Sequence, residues 1–410
     1  MTDVLRPVAP QERIGALDML RGWAMFGVLW SNLNDFYARH ENHSALDYAL
    51  GWAQGNLLES RFYTILILLF GIGFGIQLTR ANDVSIDLRN TYYRRSAALL
   101  AIGIVHGTLI WSGDILTIYA LVAFALVMFR TASTRTILIA AAVLWFAGPI
   151  IVQELMVFSG LKWPVPWSPR PIGIYAHGSW HLIERLRVDD YLSWLGHFGL
   201  TAYVRNLAAF LLGLWSIKSG YLRRVLDDPR VTRRLLVLAL ILAAIGYARW
   251  HWADRIWPLG PPPAQPSYAF FQRVMLHQFV LKFFDWGIEG TGIAYACVLL
   301  LIWQRASGAR ALRPLAAAGR MALTTYLTQS IVCSLLFYGY GFGLYGSIGF
   351  TGILLITLAL FACQMAASTW WLARFRYGPA EWLWRTLTYG HAPAMRIAHT
   401  ATPSLQLEAQ

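Results

Sequence analysis

The chain has 410 residues, of which 57% are hydrophobic and only 13% are charged. About a quarter of the residues in a soluble domain are charged, so the composition excludes an ordinary soluble protein. The formal charge of +13 comes from short basic clusters between apolar runs, which is not the pattern of a nucleic-acid-binding face. The three cysteines lie inside apolar runs, and we therefore predict neither a disulfide nor a metal site.

Apolar runs long enough to cross a bilayer, which takes about 20 residues, recur along the chain. We predict an all-α transmembrane helical bundle of about ten spans. Residues 1–410 are predicted to form a single integral membrane domain, with the transmembrane bundle in residues 14–372. The predicted spans are residues 14–33, 62–78, 96–111, 115–129, 136–158, 203–217, 235–248, 277–303, 321–337 and 348–372.

The distribution of basic residues predicts the orientation of this bundle. Most of the 34 lysines and arginines fall on one side when both termini are cytoplasmic, as the positive-inside rule requires. Residues 1–13 and the tail 373–410 then lie in the cytoplasm. The loops 34–61, 159–202 and 249–276, which hold most of the histidines, then face the opposite side.

The first span opens with the sequence LDMLRG, in which Asp18 and Arg21 lie three residues apart. This spacing places both side chains on one helical face, where they can form an ion pair. Charges inside a membrane are costly and often functional. The pair either orients the helix at the membrane boundary or lines a water-filled cavity. In the second span, Gly71 and Gly75 predict close helix packing rather than a nucleotide-binding loop.

Residues 94–119 contain two arginines, an apolar run, and then His106 and Asp114 on either side of a tight turn. Arg94 and Arg95 are predicted at the cytoplasmic start of the third span, and His106 lies roughly 16 Å further along the helix. A carboxylate that orients a histidine can produce a general base. The alternative is a structural hydrogen bond that closes the helical hairpin.

The remaining histidines give weaker signals. His177 and His181, in a predicted amphipathic helix, have the i, i+4 spacing of a metal-binding pair, but the sequence supplies no third ligand. His40 and His43 lie in the first outer loop, where ordinary solvated histidines are common.

Span nine carries Thr325, Thr328 and Gln329 at helical spacing. This polar face lines a cavity or bonds to neighbouring helices, and the sequence does not separate the two interpretations.

Four blocks of sequence resemble the YeiB-like family of bacterial inner-membrane proteins. They are LDMLRG at 17–22, VHG at 105–107 together with GDIL at 113–116, GRMALTTYLTQS at 319–330 and RYGPAEWLWR at 376–385. The resemblance covers most of the chain and implies a multi-pass protein of the bacterial inner (cytoplasmic) membrane.

The YeiB-like family in turn resembles the transmembrane acyltransferase superfamily, which includes heparan-alpha-glucosaminide N-acetyltransferase and bacterial sugar O-acetyltransferases. Those enzymes carry an acyl group from cytoplasmic acyl-CoA to an acceptor across the membrane. In the O-acetyltransferases a histidine follows the first-span arginine, whereas this chain has Asn32 there. The heparan-type histidine lies in the next outer loop, where this chain has His40 and His43. His106 belongs to the HG…GDIL block of the YeiB-like family and is therefore the preferred candidate.

These resemblances imply a membrane-bound acyltransferase that delivers an acyl group to a hydroxyl or amine at the periplasmic side. The expected acyl group is acetyl. The expected catalytic residues are His106 and Asp114, with His43 as a further candidate. The expected donor is acyl-CoA (acetyl-CoA), without a metal. Arginine suits bidentate phosphate contacts, and the residues expected around the donor are Asp18, Arg21, Arg94, Arg95 and Arg320.

The expected partners are membrane lipids, acyl-CoA and a glycan, lipid-linked or small-molecule acceptor, and no nucleic acid. A homo-oligomer is left open. One alternative function is a transporter or flippase for a small or lipid-linked substrate that uses the same polar cavity. Another is a structural or regulatory membrane protein in which both charge pairs serve packing alone.

Overall fold

The computed structural model describes residues 14–36, 44–58, 60–80, 88–158, 171–197, 199–256, 276, 277, 280 and 286–397. Within this part of the chain the regular structure is helical and no strand is present, apart from an isolated bridge between Phe375 and Arg396. The all-α prediction is confirmed, and a helix overlaps each predicted span.

The first half of the chain forms both long and short helices. They are α1 (Gly15–Phe36), α2 (Ala45–Ala53), α3 (Arg61–Arg80), α4 (Leu88–Leu109), α5 (Leu116–Leu126), α6 (Thr134–Phe146), α7 (Gly148–Phe158), α8 (Ile172–His177) and α9 (Trp180–His197). A π-helical stretch, Gln54–Leu58, extends α2, and a 3-10 turn, Val127–Phe129, extends α5.

The second half continues the bundle and ends with a short amphipathic helix. Its helices are α10 (Gly199–Lys218), α11 (Tyr221–Asp227), α12 (Pro229–Ile256), α13 (Gly287–Trp303), α14 (Ala306–Ala311), α15 (Arg313–Arg320), α16 (Ala322–Phe337), α17 (Phe350–Leu372) and α18 (Pro379–Tyr389).

Several of these helices have the length and composition of membrane helices. Among the described residues, four helical stretches are long and apolar enough to cross a bilayer: Ala45–Thr79, which covers α2 and most of α3, Leu200–Lys218, Pro229–Arg249 and Phe350–Leu372. Large apolar side chains on α12 and α17 are exposed, among them Leu240 and Leu355. Exposed apolar faces of this extent are typical of a protein that contacts lipid. The chain is therefore a helical membrane protein.

Two sequence predictions about helix continuity are wrong. Residues 136–158 were predicted as one span, but α6 ends at Phe146 and α7 begins at Gly148. Pro149 has no N–H with which to continue α6 and its ring would clash with the preceding turn. His177 and His181 were predicted on one helix, but they belong to α8 and α9, and both are exposed.

Glycines bring two pairs of helices into close contact. A Cβ atom on Gly319 would lie 1.8 Å from the carbonyl oxygen of Asp18, so α15 touches the backbone of α1. A Cβ on Gly71 would lie 2.6 Å from the Cα of Phe210, and one on Gly75 would lie 3.2 Å from the Cα of Leu214. The predicted packing surface of Gly71 and Gly75 is confirmed, and its partner is α10.

The polar face of span nine joins two helices. Gln329 Nε2 donates to Gln364 Oε1 over 3.0 Å, and Gln364 Nε2 donates to Thr328 Oγ1 over 2.9 Å. Of the two interpretations, bonding to a neighbouring helix is the one that the structure shows, with α17 as the partner.

Candidate functional site

Arginines from four separate segments line one cavity of about 320 Å³. We call this the basic cavity. Its charged lining residues are Asp18 and Arg21 from α1, Arg95 from α4, Arg320 from α15, and Glu381 and Arg385 from α18. Three of the four predicted donor-binding arginines are therefore brought together, and Arg385 joins them.

The predicted pair of Asp18 and Arg21 forms part of the cavity wall. Arg21 Nη1 donates to Asp18 Oδ1 over 2.6 Å, and the two side chains are 27% and 14% exposed. Because both line the cavity, the structure favours the cavity-lining interpretation of this pair over that of an anchor at the membrane boundary.

The C-terminal helix α18 covers the cavity and holds its arginines in place. The guanidinium of Arg95 lies 3.7 Å from the ring centroid of Trp384, and Trp384 Nε1 donates to the carbonyl of Arg95 over 2.9 Å. Arg320 Nη2 donates to the carbonyl of Arg376 over 2.8 Å. Burial lowers the pKa of Arg320, and the carboxylate of Asp18 opposes that shift.

The carboxylate of Glu381 caps the N-terminus of α16. It accepts hydrogen bonds from the backbone N–H of Leu323 at 2.7 Å, the N–H of Thr324 at 3.2 Å and the Thr324 hydroxyl at 2.6 Å. A carboxylate at a helix N-terminus is favourable. Burial raises the pKa of Glu381, and the hydrogen bonds from Thr324 and the backbone oppose that rise. Among the described lining residues, four guanidiniums thus face two carboxylates, which leaves an excess of two positive charges.

Arg94 does not join the other arginines. It is exposed, and its Nη2 donates to the carbonyl of Leu387 on α18 over 3.4 Å. Consecutive residues on a helix face different directions, so Arg95 faces the basic cavity and Arg94 faces away from it.

The predicted pair of His106 and Asp114 is present and buried. His106 Nδ1 lies 2.9 Å from Asp114 Oδ1, and the side chains are 1% and 0% exposed. The other carboxylate oxygen accepts the N–H of Thr117 over 2.8 Å at the start of α5. The hydroxyls of Thr117 and Tyr191 share a hydrogen bond of 2.8 Å, which connects this pair to α9.

This arrangement leaves one imidazole nitrogen for chemistry. A carboxylate only accepts hydrogen bonds, so Nδ1 is the donor to Asp114 and Nε2 carries the lone pair in the neutral ring. Nε2 is buried and has no hydrogen-bond partner among the described residues. The Tyr326 ring lies 4.9 Å from the imidazole, centroid to centroid. An oriented, desolvated nitrogen can serve as a general base.

A buried arginine that the sequence analysis missed holds the turn after His106. Arg187 is fully buried and donates to the carbonyl of Leu109, at the end of α4, and to the Tyr340 hydroxyl over 3.2 Å. Ile183 and Tyr191, one helical turn away on either side, are also buried. The sequence signal for a buried Arg187 was its position between Ile183 and Tyr191, four residues away on each side along the same helical face. His40 and His43 lie outside the described residues.

A second cavity, of about 790 Å³, lies among α3, α6, α7, α10, α12 and α13. We call it the aromatic cavity, because Tyr63, Trp145, Phe146 and Trp286 line it. The rings of Trp145 and Trp286 are stacked, with centroids 5.9 Å apart and an interplanar angle of 9°.

One ion pair with a buried carboxylate also lines the aromatic cavity. Arg205 Nη2 donates to Glu289 Oε1 over 2.7 Å, and Glu289 is only 6% exposed. Asn206 Nδ2 donates to the Tyr63 hydroxyl over 2.9 Å. The sequence analysis missed this pair, although charged residues inside two apolar spans indicate that each needs a partner.

Comparison with known proteins places these residues in a family context. The chain matches the family model described as "Protein of unknown function (DUF418)" over residues 216–391. It is 32% identical to the uncharacterized protein YxaH of Bacillus subtilis (strain 168), over 94% of this chain and 96% of the relative. It is 28% identical to the uncharacterized protein YeiB of Escherichia coli (strain K12), over 92% and 96%. The matched region 216–391 includes three charged residues of the basic cavity, Arg320, Glu381 and Arg385.

Proposed function

The chain belongs to the YeiB-like (DUF418) family of membrane proteins, and we propose that it is an acyltransferase that uses acyl-CoA as its donor. The proposal includes about ten spans in the bacterial inner membrane, with both termini in the cytoplasm. The positive-inside rule supports this orientation, because most of the lysines and arginines fall in the segments predicted on the cytoplasmic side.

The observation that carries the proposal is the convergence of Arg21, Arg95, Arg320 and Arg385 on one cavity. Their charge exceeds that of Asp18 and Glu381, which suits a ligand with several negative charges. Guanidinium groups bind phosphate in a bidentate manner. The nucleotide phosphates of CoA occupy this cavity in the proposal, and the pantetheine arm extends between the helices towards His106.

His106 supplies the base for the transfer step. Its Nε2 accepts the proton of an acceptor hydroxyl or amine while that oxygen or nitrogen attacks the thioester carbonyl, and the CoA thiolate leaves. Asp114 keeps the imidazole in the required tautomer. Because His106 is only 1% exposed, the surrounding helices must separate for the acceptor to enter.

Acetyl-CoA binding to the purified protein in nanodiscs tests the donor site. Arg95→Gln is expected to weaken binding about tenfold or more, since a hydrogen bond to a charged group contributes about 1.5–3 kcal/mol. Arg94→Gln is the matched control, because Arg94 is adjacent in sequence but faces away from the cavity. If the wild-type protein binds no acyl-CoA of any chain length, the acyltransferase proposal is wrong.

Turnover measurements test the base. We expect His106→Gln to lower the rate about 10²–10⁴-fold while acetyl-CoA still binds, because His106 is not part of the basic cavity. Asp114→Asn is expected to lower the rate as well, and His177→Gln, at an exposed position, serves as the control. Unchanged turnover in His106→Gln would leave the pair with a structural role alone.

One observation favours a transporter as the second candidate. The Tyr119 ring lies 4.7 Å from that of Phe70, which lines the basic cavity, and 6.1 Å from that of Tyr63, which lines the aromatic cavity. Two cavities separated by a layer of aromatic rings suit alternating access. Movement of a ligand across proteoliposomes without its chemical conversion would distinguish the transporter from the enzyme.

A further inference from the structure

The aromatic cavity changes from polar to apolar along the helices that surround it. Three of these helices contribute a polar residue near their first turns and an apolar residue deeper in the bundle. The pairs, polar residue first, are Tyr63 and Leu68 on α3, Arg205 and Leu212 on α10, and Glu289 and Ile293 on α13. A gradient repeated on three helices points to a ligand that is itself polar at one end and apolar at the other.

The three polar positions lie at the same end of the cavity. Asn206, next to Arg205, bonds to Tyr63, and Arg205 bonds to Glu289. Further along the same two helices, Gly213 contacts the backbone of Gly71. α3 and α10 therefore run in the same direction, and the polar ends of their linings coincide. We call this end the mouth of the aromatic cavity.

A smaller cavity lies next to the apolar end of the aromatic cavity. This apolar cavity has a volume of about 180 Å³, and it shares the side chains of Leu68 and Ile293 with the aromatic cavity. Leu17 and Leu69 in turn line both the apolar cavity and the basic cavity. A hydrocarbon chain that enters from the mouth thus finds apolar side chains along a path into the centre of the bundle.

The mouth offers mainly hydrogen-bond donors. Among the described residues that line the cavity, Arg205 and Arg249 are basic and Glu289 is acidic, so these three groups sum to one positive charge. The indole N–H of Trp145 is buried and has no hydrogen-bond partner among the described residues. A donor-rich, positively charged mouth suits a head group that carries negative charge and accepts hydrogen bonds.

From the polarity gradient and the charge of its mouth, we propose that the aromatic cavity binds an amphipathic lipid with a phosphate head and a single hydrocarbon chain. The head lies beside Arg205, Arg249 and Trp145, and the chain extends past Leu68 and Ile293. The site is separate from the basic cavity, so this binding does not depend on acyl transfer.

Native mass spectrometry of the full-length protein in detergent, with two matched probes, tests the head group. Dodecyl phosphate and dodecylphosphocholine share one chain and differ in net charge. We expect dodecyl phosphate to be retained as a one-to-one complex with an affinity about tenfold higher, which corresponds to about 1.4 kcal/mol. Equal retention of the two probes would overturn the proposal. A polyprenyl phosphate and a single-chain phospholipid, compared in the same way, identify the biological source of the phosphate.

Two tryptophans on α6 test the position of the chain. Ala142→Trp places a large ring at a position that lines the cavity, whereas Ile139→Trp places the same ring on the same helix at a position that does not line it. We expect Ala142→Trp alone to abolish dodecyl phosphate binding, and equal binding by the two variants would contradict the proposal.

A milder substitution covers the case in which Ala142→Trp does not fold. Trp145→Phe keeps the ring and removes the unpartnered N–H, and it should weaken dodecyl phosphate binding several-fold. Undiminished binding would show that the head group does not contact Trp145. Acetyl-CoA binding measured on the same samples reports the basic cavity separately, so a failure of one proposal is distinguishable from a failure of the other.

Discussion

The basic cavity and the aromatic cavity each hold an arginine against a tryptophan ring, but they use that arginine differently. In the basic cavity, Arg95 stacks on Trp384 at 3.7 Å, and it has three further arginines as neighbours in the lining. In the aromatic cavity, Arg205 lies 5.2 Å from the ring centroid of Trp145 and pairs with Glu289.

The two linings suit different ligands. In the basic cavity, four guanidiniums face two carboxylates among the described lining residues. The excess positive charge can bind a polyanion, and it is the main recognition feature of this cavity. In the aromatic cavity, Arg205 and Glu289 pair with each other, and much of the remaining lining consists of aromatic rings and apolar side chains. Three sets of substitutions test the contacts around these cavities. The expected loss of stability decreases from the first set to the third.

The largest effect is expected at the helix crossing beneath the basic cavity. Gly319→Val introduces atoms within 1.8 Å of the Asp18 carbonyl, so α1 and α15 must separate, and we expect a loss of several kcal/mol. The folded fraction, measured by size-exclusion chromatography in detergent, should be near zero. Gly73→Ala, whose Cβ would have Arg21 Nη2 as its nearest neighbour at 3.7 Å, should fold normally. A normally folded Gly319→Val protein would show that the crossing is not required.

An intermediate effect is expected at the two ion pairs. Arg205→Leu removes the cation from Glu289, which is 6% exposed, and should cost about 2 kcal/mol, less than a fully buried pair because Arg205 is partly exposed. The double variant Arg205→Leu/Glu289→Leu should recover most of that loss. Arg21→Leu should cost less, because Asp18 keeps Arg320 as a neighbour. Thermal unfolding of the wild type and these three variants measures the differences in stability. Equal losses in Arg205→Leu and Arg21→Leu would show that the two ion pairs contribute equally, contrary to the expected difference between the cavities.

The smallest effect is expected at the two tryptophans. Trp384→Phe keeps an aromatic ring for Arg95 but removes the hydrogen bond from Nε1 to the Arg95 carbonyl, and it should cost about 1 kcal/mol. Trp145→Phe removes an N–H without a partner among the described residues, so its stability should be unchanged. A larger loss in Trp145→Phe than in Trp384→Phe would contradict the assigned contacts.

Features that depend on local spacing were predictable. Asp18 and Arg21 are three residues apart on one helix, and His106 and Asp114 are joined by a single tight turn, so in each case few chain conformations separate the partners. The packing role of Gly71 and Gly75 also follows from helical spacing. The exposure of the two charge pairs was not predictable, however: the same kind of reasoning produced one pair that lines a cavity and another that is buried.

Features that depend on which helices become neighbours required the structure. The Arg205–Glu289 pair joins residues 84 positions apart, and the bond from Trp384 to Arg95 spans 289 positions. Helical periodicity shows that Arg94 and Arg95 face different directions, but it does not show which of them faces a cavity.

By itself, the sequence determined that this protein is a helical membrane protein and which residues could pair within a helix or across one turn, because composition and local geometry are encoded by neighbouring residues. Only the tertiary structure decided that Arg95 rather than Arg94 joins the basic cavity, that α18 completes it, and that a second cavity with a graded lining exists. Those outcomes follow from the packing of helices distant in sequence, where glycine contacts at α1–α15 and α3–α10 set how closely the backbones approach.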